Sequence, residues 1–236
     1  MKMLLLSNST MHGQAYFEWA IPHVCEFLKA DVSRVLFIPF AGVTFSNDEY
    51  TKAVKDVFNS VGFEVEGIHQ SQDMKETIKK AEAIMVGGGN TFHLISNLIK
   101  FNLIESIRKK VLEGASYIGW SAGANITCPT IKTTNDMPII QPTSFDAMKL
   151  IPFQINPHYT KATIPNHTGE SRDQRINEYL EINRGSTVVG LPEGTLLEID
   201  GSGIEFKGTH TGKVFQYKKE PVSISQGSDI SWLLDL

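Results

Sequence analysis

With 236 residues, 41% hydrophobic and 20% charged, the chain is long enough for one large domain and too apolar to be mainly disordered. Lys and Arg total 22 against 26 Asp and Glu, for a net charge of −4. That argues against a dedicated binder of nucleic acid or of an anionic membrane, and no apolar run approaches the ~20 residues of a membrane span. Cys25 and Cys128 are the two cysteines. They are too few and too far apart for a disulfide framework or a zinc site, which fits a reducing compartment.

In chain order, Met3–Leu6 is a first apolar run and Val35–Ile38, stopped by Pro39, a second. Ser46 or Asn47 can cap a helix with Tyr50, Val54, Val57, Phe58 and Val61 on one stripe. Phe63–Ile68 is a weaker strand, followed by a short helix to Lys80 that Ser71 can cap. Ala83–Val86 is the fourth strand. Phe92, Leu94, Ile95, Leu98 and Ile99 form the next helical stripe. Leu103–Glu113 is a further helix, stopped by Gly114, and Tyr117-Ile118 a fifth strand. Apolar runs without polar alternation, separated by amphipathic helices, predict βαβ units and a parallel sheet covered on both faces. Later come a helix over Arg172–Asn183, strands at Thr187–Val189 and Leu196–Ile199, a turn at Gly201–Gly203 and an alternating run, Val214–Tyr217. These predict antiparallel strands closing one edge of that sheet. No repeat or linker interrupts residues 1–236, so a single domain is expected.

Two loops at strand ends stand out. Gly119-Trp120-Ser121-Ala122-Gly123 is a G-x-S-x-G pentapeptide between a strand and a helix start. That context suits a nucleophile elbow, with the Ala122 N–H facing a developing oxyanion; the plainer reading is a small-residue turn. Gly87-Gly88-Gly89-Asn90-Thr91 opens the helix of Phe92. Its free N–H groups beside a helix N-terminus suit an anion or oxyanion, and its spacing is neither a dinucleotide fingerprint nor a P-loop.

A serine nucleophile needs a base and an acid. Of seven histidines, His23 and His93 fall in helical patterns. His158 follows Asn156-Pro157 at the end of a run from Ile151 to Ile155, a firm mount, and His167 in a polar loop is its rival. Asp136 and Glu193 are the candidate acids. Glu193, in Gly190-Leu191-Pro192-Glu193-Gly194, has the stiffer turn. No metal-ligand spacing occurs in the sequence, so no metal or cofactor is expected.

These segments, with Phe37–Val43, Ile118–Asn125, Thr133–Pro138 and Gln154–His158, closely resemble the peptidase E family. Those are α-aspartyl dipeptidases of the serine-peptidase group that also holds cyanophycinase. The resemblance runs to about Glu193 and is loose beyond Asp200. It implies a cytoplasmic, metal-independent serine hydrolase that cleaves dipeptides with an N-terminal aspartate; a monomer or small homo-oligomer is expected. The implied fold is α/β and flavodoxin-like, as in class I glutamine amidotransferases. By motif match Ser121 is the nucleophile, His158 the base, and either Asp136 or Glu193 the third member. Gly88, Gly89 and Ala122 would hold the oxyanion. A cation must then read the substrate's side-chain carboxylate, and Arg172, Arg175 and Lys132 are the candidates. A cyanophycinase-type hydrolase would share Ser121 and His158 behind a more open cleft. A non-catalytic anion-binding domain would use the tri-glycine turn and leave Ser121 idle, and an amidotransferase-like domain would expect cysteine at the elbow.

Overall fold

The structure, a computed structural model, describes residues 1–28, 32–162 and 168–236; His167, the rival base, lies outside them. The expected alternation is present: β1 (Lys2–Leu6), α1 (Ile21–Leu28), β2 (Arg34–Ile38), α2 (Asn47–Asn59), β3 (Glu64–Gly67), α3 (Met74–Lys80), β4 (Ala83–Val86), α4 (Thr91–Lys100), α5 (Ile104–Leu112) and β5 (Ser116–Trp120). The short α6 (Ala122–Asn125) follows, then β6 (Gln154–Pro157), α7 (Arg172–Ile182) and β7 (Thr187–Leu191). The last strands are β8 (Thr195–Asp200), β9 (Gly203–Gly208), β10 (Gly212–Gln216), β11 (Val222–Ile224) and β12 (Ser228–Asp229).

Helix starts follow side-chain chemistry. Ser46 caps α2 in a reciprocal capping box with Glu49, a device worth ~1 kcal/mol. For α3 the cap is Asp73, not Ser71: its carboxylate accepts the N–H groups of Lys75 and Glu76, while the Ser71 hydroxyl is held by Thr77. Gly114 ends α5 with φ 111°, a conformation that costs glycine nothing.

The main sheet has eight strands in the order β12-β9-β8-β1-β5-β4-β2-β3. β1, β5, β4, β2 and β3 are parallel, and β8, β9 and β12 add the antiparallel edge. One face, with Leu4, Leu6, Phe37, Ile118 and Trp120, packs on α1 and α2. The other, with Met3, Leu5, Ile38, Val86 and Tyr117, packs on α4 and α5.

One expectation needs correcting. The strand at Thr187 and the alternating run at Val214 do not extend the main sheet. They form a separate four-stranded sheet, β11-β10-β7-β6, in which β6 and β7 are parallel and β10 is antiparallel to both neighbours. Its inner face, with Ile155, Val189, Leu191 and Val214, shares a core with the main sheet. Its outer face packs Val188 and Phe215 against Ile176 and Leu180 of α7. Both faces of this sheet are therefore covered.

Candidate active site

The pentapeptide turn is built by close backbone approach. A Cβ on Gly119 would lie 2.3 Å from the Gly123 carbonyl oxygen, and a Cβ on Gly123 only 2.1 Å from that of Val86. Both positions therefore require glycine. Between them Ser121 takes φ 53° and ψ −111°, a strained state that costs a non-glycine residue ~1–3 kcal/mol. The strain turns the side chain out above the carboxyl end of β5, where open α/β sheets present ligands.

The Ser121 hydroxyl lies 2.9 Å from His158 Nε2. His158 Nδ1 lies 2.7 Å from Glu193 Oε1. His158 sits just past β6 and Glu193 just past β7, so their parallel pairing brings the two turns side by side. His158 is also at positive φ, 53°. The Glu193 side chain is 53% exposed and that of His158 39%, so water screens this pair more than it would a buried one.

Asp136 lines the same cavity but is occupied elsewhere. Its Oδ2 accepts the Thr91 N–H at 2.7 Å and the Thr134 hydroxyl at 3.0 Å, at the N-terminus of α4, where a carboxylate is favoured. Between the two acids, the one on the imidazole is Glu193.

The tri-glycine turn faces the elbow. A Cβ on Gly88 would lie 3.1 Å from Ser121 Cβ, and one on Gly89 2.4 Å from the Ala41 carbonyl oxygen. The Gly87 N–H goes to Ile38 and the Asn90 N–H to Ala41. That leaves the Gly88 and Gly89 N–H groups without a partner among the described residues. Ser121's own N–H is used by the Leu6 carbonyl at 3.0 Å, so the first N–H of α6, on Ala122, is the one left at the elbow. A relay of buried groups fixes turn to elbow: the Trp120 indole donates to the Tyr50 hydroxyl at 3.1 Å, which donates to the Gly88 carbonyl at 2.9 Å. Burial pushes the Tyr50 phenol up, so it stays a donor.

The cavity above Ser121 holds about 730 Å³. Tyr16, Phe45, Tyr50 and Trp120 form an aromatic wall, and Glu49, Asp136 and Glu193 bring three carboxylates. No Lys or Arg lines it among the described residues. Lys132 is exposed, and Arg175 reaches Glu170 at 3.8 Å. Arg172 donates to Asn135 Oδ1. Asn135 in turn donates to the carbonyl of Pro157, next to His158. Burial and then Arg175 hold the Arg172 guanidinium below its ordinary value. No group of His, Cys, Asp and Glu suited to a metal ion occurs among the described residues. The Cys128 thiol is pushed up to about 12 by burial, so it offers no competing thiolate.

Sequence reasoning counted Tyr50 and Trp120 only as apolar or flanking residues and passed over Asn135. A signal was present for Tyr50: a phenol on a buried stripe needs a hydrogen-bond partner, so it points to a polar feature nearby.

A serine held open at a strand-to-helix turn, with an imidazole on its oxygen and free amides opposite, belongs to the serine hydrolases as a class. The sequence profile described as peptidase family S51 matches residues 3–207. Peptidase E of Nostoc sp. is 49% identical over 234 residues, covering 99% of this chain and 97% of the relative. Peptidase E of Salmonella typhimurium is 48% identical over 227 residues, covering 96% and 99%. Among solved structures, a putative peptidase E from Listeria monocytogenes superposes with TM-score 0.64 at 26% identity, covering 89% of this chain and 98% of that one. An actinobacterial peptidase shares the fold with TM-score 0.71 at 18% identity, covering 97% and 96%. The chain belongs to peptidase family S51 and is a serine-type peptidase. No helix among the described residues is long and apolar enough to cross a membrane.

Proposed function

We propose that this peptidase hydrolyses dipeptides with an N-terminal aspartate, through an acyl-enzyme on Ser121. The observation that carries the reading is the continuous path Ser121 Oγ, His158 Nε2, His158 Nδ1, Glu193 Oε1, at 2.9 and 2.7 Å. His158 takes the hydroxyl proton as Oγ attacks the aspartyl carbonyl. The N–H groups of Gly88, Gly89 and Ala122 receive the oxyanion; one such donor is worth ~3 kcal/mol of barrier. His158 then protonates the leaving amine, and water hydrolyses the aspartyl ester by the same steps. Glu193 holds the imidazole's orientation and tautomer.

Charge divides the substrate. An aspartate side chain cannot sit beside Glu49, Asp136 and Glu193 without repulsion, whereas the free α-ammonium can. Asp136, whose Oδ1 has no partner among the described residues, suits that ammonium. Arg172 does not line the cavity, but it is tied through Asn135 to the Pro157 carbonyl beside His158, and it suits the side-chain carboxylate. It is half-buried with no carboxylate partner among the described residues, a costly state that a substrate anion relieves. The site draws on both sheets, which supports one catalytic unit over residues 1–236. Unpaired Cys25 and Cys128 support the reducing cytoplasm as its compartment. The test is hydrolysis of Asp-Leu, Asn-Leu and Ala-Leu. Wild type should strongly prefer Asp-Leu, and Arg172→Ala should lose that preference. Equal wild-type rates on all three would reject the aspartyl reading.

A further inference from the structure

The turns carrying Ser121, His158 and Glu193 are distant in sequence, yet all three are tied to the same three consecutive residues. β1 ends at Leu6, whose carbonyl accepts the Ser121 N–H at 3.0 Å. The next residue, Ser7, is fully buried. Its hydroxyl accepts the His158 N–H at 2.8 Å and donates to the Leu191 carbonyl at 2.8 Å. Asn8 follows, 3% exposed, and its Oδ1 accepts the N–H of Gly194, next to Glu193, at 2.8 Å.

We infer that Leu6-Ser7-Asn8 is a positioning clamp that sets nucleophile, base and acid in register, with Ser7 as its central residue. The inference rests on the reading of the site given above. β1 pairs with β5 and β8 and with no strand of the second sheet. The side chains of Ser7 and Asn8 therefore carry hydrogen bonds from the strand beside the elbow to the two turns of the other sheet. Ser7 uses both functions of one hydroxyl for this, on partners 151 and 184 residues away.

The clamp also accounts for the strained base. At φ 53° His158 has left the β6 ladder, and its N–H needs an acceptor in a buried setting. Ser7 Oγ supplies it, and the next N–H, of Tyr159, goes to Leu191 O at 3.1 Å. A residue in that conformation persists only where its surroundings over-determine it. Without the Ser7 hydroxyl the turn can relax, and a drift of ~1 Å between reacting groups can cost ~100-fold in rate.

The test uses Ser7→Ala, Ser7→Thr and Asn8→Ala of the full chain. Each is measured for Tm, for kcat and KM on Asp-Leu, and for the rate at which a fluorophosphonate modifies Ser121, read by peptide mass mapping. Ser7→Ala should stay folded while kcat and the modification rate fall together by ~10- to 100-fold. KM should stay near wild type, because Ser7 does not line the cavity. Ser7→Thr keeps the hydroxyl and should recover most of the rate. Should Ser7→Ala not fold, Asn8→Ala, which loses the Gly194 bond and also borders the cavity, must show a loss in kcat and in modification rate beyond any change in KM. Wild-type kcat and modification in folded Ser7→Ala, or in Asn8→Ala where the former does not fold, overturns the clamp. A wild-type protein that the fluorophosphonate leaves unmodified at Ser121, with turnover intact in Ser121→Ala, would instead overturn the site reading itself.

Discussion

The eight-stranded sheet presents Ser121 on a turn formed by backbone against backbone: glycines at 119 and 123 admit the neighbouring carbonyls, and the serine is forced outward. The four-stranded sheet presents His158 and Glu193 differently, on the ends of two adjacent parallel strands whose side chains meet at 2.7 Å. The first device is dense, with the Gly123 and Val86 carbonyls packed against its two glycines. The second depends on long-range pairing, and its carboxylate stands half in water. In the proposed mechanism the work divides along the same line: the main sheet carries the nucleophile and the oxyanion donors, while the smaller sheet supplies the proton chemistry.

Substitutions on each side should differ in size. The largest effect belongs to the main sheet: Ser121→Ala should lower kcat for Asp-Leu by at least ~10⁴-fold at unchanged Tm. Next comes Gly89→Ala. At φ 135°, with the added Cβ 2.4 Å from Ala41 O, the turn must shift and misaim its N–H groups, lowering kcat ~10²- to 10³-fold. A near-normal kcat would remove that turn from the oxyanion site. On the second sheet, Glu193→Gln should cost ~10²- to 10³-fold in kcat. That is less than the ~10⁴-fold of a buried triad acid, because Glu193 is solvent-screened. Asp136→Asn should act mainly on KM, and the reverse split would exchange the two acids' roles.

The smallest effect tests how α7 is fastened to the second sheet. Asp173 accepts from Lys213 Nζ and from the Tyr159 hydroxyl, both at 2.6 Å. Burial opposes its charge, but these two partners prevail and hold its carboxyl below the ordinary range. A depressed acid adds stability above its unfolded pKa and loses it as pH falls through the folded one. Asp173→Asn should therefore lower Tm by no more than ~4 °C near neutral pH. The gap should close as pH drops through and below the ordinary carboxylate range of about 4. A gap that widens in acid would contradict this.

Local rules made half of the molecule legible. The Ser46–Glu49 capping box and the stop at Gly114 act within a few residues, and the G-x-S-x-G spacing around Ser121 is itself a local pattern, so the sequence displays them. The second sheet is not legible, because an alternating run such as Val214–Tyr217 states that one face is buried without naming its partner strand. The pattern suits the edge of the main sheet equally well, but the strand pairs with β7 and β11. The same gap left Asp136 and Glu193 undecided: Asp136 lies in a polar loop and Glu193 in a strand-end turn, and the adjacency of β6 and β7 is what puts Glu193 beside the imidazole. Nothing in the sequence marks Ser7 and Asn8, since His158 and Gly194, whose N–H groups they accept, lie more than a hundred residues away.

The central claim is that the main sheet's serine carries the acyl group while the other sheet's histidine moves the proton. Acid-quenching the enzyme during turnover of an aspartyl p-nitroanilide, then mapping peptides by mass, tests it directly. An aspartyl ester should appear on the peptide containing Ser121 and be absent from Ser121→Ala. An adduct on any other residue, or full turnover by Ser121→Ala, would contradict it.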